Sequence, residues 1–153
     1  MNPLTIYQEA LDTVSQAVLA GDFFRYAAMI DFPYLVHTAK AELLVATTAA
    51  LRPTFDALSQ GLKARGVTHY ERVAREADYA ARDRIEGWHH THILANCKPI
   101  AYPHAARHSL VRRGQLWLFS EAHYATLRAT RWPLGDDDIF AQTDEPRRPQ
   151  VAQ

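Results

Sequence analysis

His108, Glu121 and His123 offer the chemistry of proton transfer, or of holding a polar ligand. A carboxylate beside an imidazole raises its basicity and fixes its tautomer, which suits acid–base work near neutral pH. The same groups could bind an anionic or hydroxylated ligand. A hairpin would bring them together. Segments 105–111 and 116–127 flank Arg112-Arg113-Gly114-Gln115, and Arg113 and Gly114 are read as its two turn residues. Leu110 then faces Trp117, His108 faces Phe119, Ala106 faces Glu121 and His104 faces His123. Period-two alternation places all eight on one face, the expected cavity wall, with Trp117 and Phe119 as its apolar body. The other face carries Arg107, Ser109, Val111, Leu116, Leu118, Ser120, Ala122 and Tyr124. Large apolar residues on both faces require two covers. Helices supply one and a second subunit the other, so a homodimer packed through the sheet is expected.

Asp31, before Phe32-Pro33-Tyr34, is a further catalytic candidate at the mouth of the cavity. In apolar surroundings its carboxyl would titrate high and act as an acid or base; at a helix end it would instead satisfy backbone donors. Tyr26, Tyr34 and His37 are candidate lining residues. In Trp88-His89-His90-Thr91-His92, the side chains of His90 and His92 share a strand face and join the ligand-lining candidates. A catalytic zinc needs a third protein ligand, and no His-Glu-x-x-His or paired-cysteine motif supplies one, so no metal is expected. Arg72, Arg75, Arg82 and Arg84, scattered among acidic residues, read as a solvated mixed-charge strand surface. Cys97 reads as a small packed residue rather than a nucleophile. No glycine-rich phosphate loop or nucleophile elbow is present.

The elements that position these residues follow from periodicity and punctuation. Tyr7, Ala10, Leu11, Val14, Ala17 and Val18 recur at helical spacing, and Gly21 stops that helix. Asp22 caps a short second helix, Phe23 to Ile30, apolar enough to be buried on more than one side. Short strands at 34–38 and 43–46 precede a third helix with the stripe Leu51, Phe55, Leu58 and Leu62. Thr47 or Thr48 could cap it, while Pro53 argues for a start nearer Arg52. Residues 69–81 fit helix by propensity. From Arg84 the pattern is strand, and after Trp132-Pro133 the run Gly135-Asp136-Asp137-Asp138 opens a loose tail over 135–153 beyond a single domain, 1–134.

The 153 residues suit one domain. Apolar residues at 48% and charged residues at 22% exclude global disorder. Seventeen basic and seventeen acidic side chains cancel, which disfavours nucleic acid and anionic membranes as partners. With one cysteine, no signal-like start and no apolar run of about 20 residues, a soluble cytoplasmic protein is expected.

The order helix, helix, short strands, long helix, long antiparallel strands resembles nuclear transport factor 2-like and SnoaL-like proteins. So do Thr47-Thr48 opening the third helix, Gly66-Val67-Thr68 leading into a strand, the strand Arg84-Ile85-Glu86-Gly87 to Thr91-His92-Ile93-Leu94, and the hairpin at Arg113-Gly114-Gln115-Leu116-Trp117-Leu118-Phe119. The resemblance spans about residues 5–130. It implies an α+β, cystatin-like cone with N-terminal helices packed on a curved, mixed, mainly antiparallel sheet, and it makes 68–79 a strand against its helical propensity. The superfamily includes isomerases, dehydratases, cyclases and adaptors, so fold does not supply function. The tyrosine and paired aspartates of ketosteroid isomerases have no counterpart in this sequence. Three readings follow: a small-molecule-binding pocket, a cofactor-independent acid–base enzyme on a small apolar substrate, and a dimeric interaction adaptor.

Overall fold

The computed structural model describes residues 1–101 and 103–144. In order these form α1 (Pro3–Ala20), α2 (Phe23–Ala27), β1 (Ile30–Thr38), β2 (Glu42–Val45), α3 (Thr48–Ala64), β3 (His69–Ala81), β4 (Arg84–Ala95), β5 (Lys98–Pro99), β6 (His104–Arg113), β7 (Leu116–Tyr124) and α4 (Asp136–Asp144). Local chemistry sets most of the boundaries. Asn2 accepts the Leu4 amide ahead of α1, and Gly21, at φ 74°, ends it in the left-handed conformation that glycine adopts freely. Thr47 caps α3 by accepting the Ala50 amide at 3.1 Å. The helix therefore starts before Arg52 and carries Pro53 in its second turn, forgoing one backbone bond.

The strands form one open sheet in the order β2-β1-β7-β6-β4-β3, with β5 paired to the end of β4. All pairings are antiparallel except β1 with β7. The sheet's inner face carries Tyr34, Val36, Ile85, Ile93, Leu110, Phe119 and Ala122, packed with Tyr7, Leu11, Val14 and Val18 of α1 and with Leu51, Phe55 and Leu62 of α3. Residues 69–81 are strand because pairing with β4 runs their whole length, and tertiary contact overrides propensity. The free edge of β3 is covered by Gln8 of α1. Its side-chain amide donates to the Arg72 carbonyl and accepts from the Ala74 amide, each at 2.8 Å, in place of a further strand.

Three sequence expectations are corrected. In α2, Phe23 is buried but Phe24 is 80% exposed, because five residues present only one face to the core. Residues 136–144, expected within a loose tail, form α4, whose Ile139 and Phe140 are buried over α3. The remainder of that tail, 145–153, lies outside the described residues. Cys97 is exposed in the tight turn between β4 and β5 rather than packed.

Candidate functional site

The β6–β7 hairpin decides what can meet what. Its turn is Gly114-Gln115, so Leu110 pairs with Phe119 rather than with Trp117. That shift alone would leave His108, Glu121 and His123 on one face. Between Ser109 and Leu110, however, the register slips by one residue, and Ser120 is the extra residue on β7. Beyond this bulge His108 pairs with Ala122, while Glu121 pairs with Ser109 and His123 with Arg107. His108 therefore points into the core, and Glu121 and His123 point outward. The expected trio is split between the two faces.

On the outer face, Glu121 joins His37 of β1 and Arg84 of β4. His37 Nε2 lies 2.5 Å from one carboxylate oxygen, and Arg84 donates to the other at 3.0 Å. Arg84 also pairs with Glu86, and His37 Nδ1 lies 3.3 Å from Glu42. Partial burial raises the Glu121 carboxyl, but the hydrogen bonds with His37 and Arg84 outweigh it and leave the group below its ordinary value. Partial burial, then the neighbouring His37, lowers His123. Ligand atoms of His37, Glu121 and His123 all lie within 4.8 Å of one another, the spacing of a metal site. The two imidazoles are stacked 4.1 Å apart with planes 5° from parallel, so their lone pairs run side by side rather than converge. The carboxylate is already held by Arg84 and His37, and the cluster reads as an ion-pair network.

The inner face holds a different set of residues. A cavity of about 80 Å³ lies between the helices and the sheet. Its wall includes Tyr26 from α2, Tyr34 from β1, Tyr70 and Arg72 from β3, His89 and Thr91 from β4, and Tyr124 from β7, closed by Leu127, Trp132 and Leu134 and by Ile139 of α4. Arg72, expected on a solvated surface, is 8% exposed. Its guanidinium donates to the Tyr70 hydroxyl at 2.7 Å and lies over the Tyr70 ring. Beneath the cavity, His89 Nδ1 is 2.8 Å from the Tyr7 hydroxyl, and the His89 ring stacks on His108, centroids 5.0 Å apart. Both ring nitrogens of His108 are buried without a hydrogen-bond partner among the described residues.

Burial sets the protonation of this region. It pushes the phenols of Tyr7, Tyr26, Tyr34 and Tyr124 above their ordinary value, keeping them protonated at neutral pH. Burial, then the Arg72 charge, lowers His108 to about 3. Burial, then His108 and Arg72, carries His89 lower still, so both imidazoles are neutral. When Tyr7 donates to Nδ1, His89 carries its proton on Nε2, the nitrogen that Tyr7 leaves free.

Of the sequence-derived candidates, Tyr26 and Tyr34 line the inner cavity. Phe119 is core beneath it, edge-on to His108. The others lie elsewhere. Asp31 forms a two-point pair with Arg113 at 3.0 and 3.1 Å, away from the cavity, because β1 begins at Ile30 and runs past the hairpin end. His37, His90 and His92 alternate onto the outer faces of β1 and β4, with His90 edge-on to Trp88. Trp117 packs near Tyr79 at the hairpin end. Sequence reasoning missed Tyr7, Tyr70, Arg72, His89 and Tyr124. An arginine in register with Tyr70 on a strand was the available signal, hidden by the helical propensity of that stretch.

No family model and no curated protein matches the chain. Solved structures do. A nuclear transport factor 2-like protein with a cystatin-like fold from Novosphingobium aromaticivorans aligns with TM-score 0.62 at 15% identity, covering 84% of each chain. A protein of the same type and of unknown function from Shewanella oneidensis MR-1 aligns at 0.57 and 11%, over 80% of this chain and 98% of that one. A hexachlorocyclohexane dehydrochlorinase from Novosphingobium barchaimii LL02 aligns at 0.55 and 12%, over 78% and 82%. At these identities the likeness is one of fold.

Proposed function

We propose that this chain, which has the nuclear transport factor 2-like, cystatin-like fold, binds a small molecule in the cavity between its helices and its sheet. The observation that carries the reading is the inner wall itself. Tyr26, Tyr34, Tyr70, Arg72, His89 and Tyr124 line a space whose wall also includes the apolar Val36, Leu58, Leu127 and Leu134. A few polar groups set in an apolar wall fix a ligand's orientation, whereas a packed core would have no use for them. Native mass spectrometry of gently purified protein tests this. A bound small molecule is expected on the wild type and not on Leu58→Trp, which fills the cavity. A wild type that carries no added mass, and that shows no saturable shift with a fragment library, would sink the reading.

The Tyr7–His89 hydrogen bond favours a second reading, an acid–base isomerase, dehydratase or cyclase that needs no cofactor. Tyr7 would orient the imidazole toward a substrate in the cavity. The deep lowering of His89 by burial makes it a weak base at neutral pH, which ranks catalysis below binding. The outer network of His37, Glu121 and Arg84 is engaged in ion pairs and supports neither reading.

A further inference from the structure

We infer that the occupant of the inner cavity is a small organic carboxylate, held by Arg72 through charge-assisted hydrogen bonds. This rests on the reading of that cavity as a ligand site. Among the described residues lining the cavity, Arg72 is the one that carries a formal charge, and none is an Asp or Glu. Arg72 forms no ion pair with any described residue, and among the described residues its guanidinium contacts the hydroxyl and the ring of Tyr70. Its charge is permanent, and of its five N–H donors the described residues engage one, in the bond to the Tyr70 hydroxyl.

The described residues supply no hidden counter-charge. Tyr26, Tyr34 and Tyr124, whose phenolates could neutralise a guanidinium, are held protonated by burial. His89 and His108 are neutral. A buried guanidinium without an anion costs several kcal/mol. A carboxylate removes that cost, because its two oxygens match the planar donor fork, and the neighbouring hydroxyls of Tyr70 and Thr91 offer further donors. Size narrows the class. At roughly 10–15 Å³ per water-sized site, the cavity takes on the order of five to eight non-hydrogen atoms. That is a short-chain acid rather than a phosphorylated sugar or a nucleotide.

The probes are butyrate and its uncharged isostere butyramide, titrated against the full chain with amide and indole NMR shifts as the readout. Saturable butyrate shifts are expected at residues around the cavity, including the Trp132 indole, with butyramide at least tenfold weaker. Arg72→Met and Arg72→Gln should abolish that preference. Butyramide binding as tightly as butyrate, or a preference that survives both variants, overturns the proposal while leaving the cavity a ligand site. Shifts with neither probe, together with no response to a neutral fragment library, sink the ligand-site reading and the proposal with it. Thermal unfolding without probe is an independent arm. Arg72→Met should unfold at a higher temperature than the wild type, since it removes an uncompensated buried charge. A lower temperature would assign Arg72 a structural role and overturn the proposal.

Discussion

His108 and His89 stack ring to ring beneath the cavity, and among the described residues neither has a carboxylate partner to stabilise its charged form. Their charge state therefore depends on pH in a defined direction. Unfolded, His108 titrates near 6.5; folded, near 3. Between those values the unfolded chain binds a proton that the folded chain refuses. Stability is thus intact above pH 6.5 and falls as pH drops toward 3. One such group contributes a slope of roughly 1 kcal/mol per pH unit, and His89 adds to it. Urea unfolding of the wild type between pH 7 and 4 should show this loss, and His108→Phe should flatten the slope by about one group's share. At pH 8 the same variant should cost under about 1 kcal/mol, because the His108 ring nitrogens have no hydrogen-bond partner among the described residues to lose. Equal slopes in the two proteins would rule out the neutral buried imidazole.

Two elements meet where α1 crosses β4, and the contact leaves no room for a side chain on the strand. A Cβ placed on Gly87 would lie 2.8 Å from the Tyr7 ring, itself fully buried and bonded to His89. Gly87→Ala should push α1 off the sheet at a cost of about 1–3 kcal/mol, read by thermal unfolding. It should also shift the His89 ring resonances, as Tyr7 moves. An unchanged melting temperature would mean that α1 is not seated as described. The bulge at Ser120 is the other element-scale decision. Turn chemistry made the β6–β7 hairpin legible in Gly114, but a single inserted residue on β7 has no signature of its own. Residues after the bulge exchange faces, and with them went the grouping of His108 with Glu121 and His123.

At the scale of the whole molecule, the second sheet face changes the grounds for the homodimer. The expectation rested on an apolar outer face; that face instead carries His37, Arg84, Glu86, Glu121 and His123, joined by ion pairs. An open depression of about 720 Å³ runs along it, with Trp88, Arg107 and His123 in its wall, and Val73 and Leu44 are exposed large apolar residues of the sheet. We propose that a second copy packs there through a largely polar contact. Sedimentation at micromolar concentration should then give a dimer that high salt weakens, since exposed charge pairs are screened. A monomer at every concentration would refute it. No helix among the described residues is long and apolar enough to cross a membrane.

The sequence determined the parts governed by local rules. Gly21 ends α1, Asp22 caps α2, Gly114 turns the last hairpin, and helical spacing in Tyr7, Leu11, Val14 and Val18 marks the buried side of α1. Those rules act within a few residues, so they can be read without coordinates. Tertiary structure decided what depends on distant partners. Pairing with β4 made 69–81 a strand, and that strand turned Arg72 inward beside Tyr70. The parallel β1–β7 contact and the bulge sent Glu121 outward to His37, 84 residues away in sequence. A charge's meaning lies in what surrounds it. Arg72, read along the chain as one of several surface arginines, becomes the defining group of the cavity once its surroundings are known.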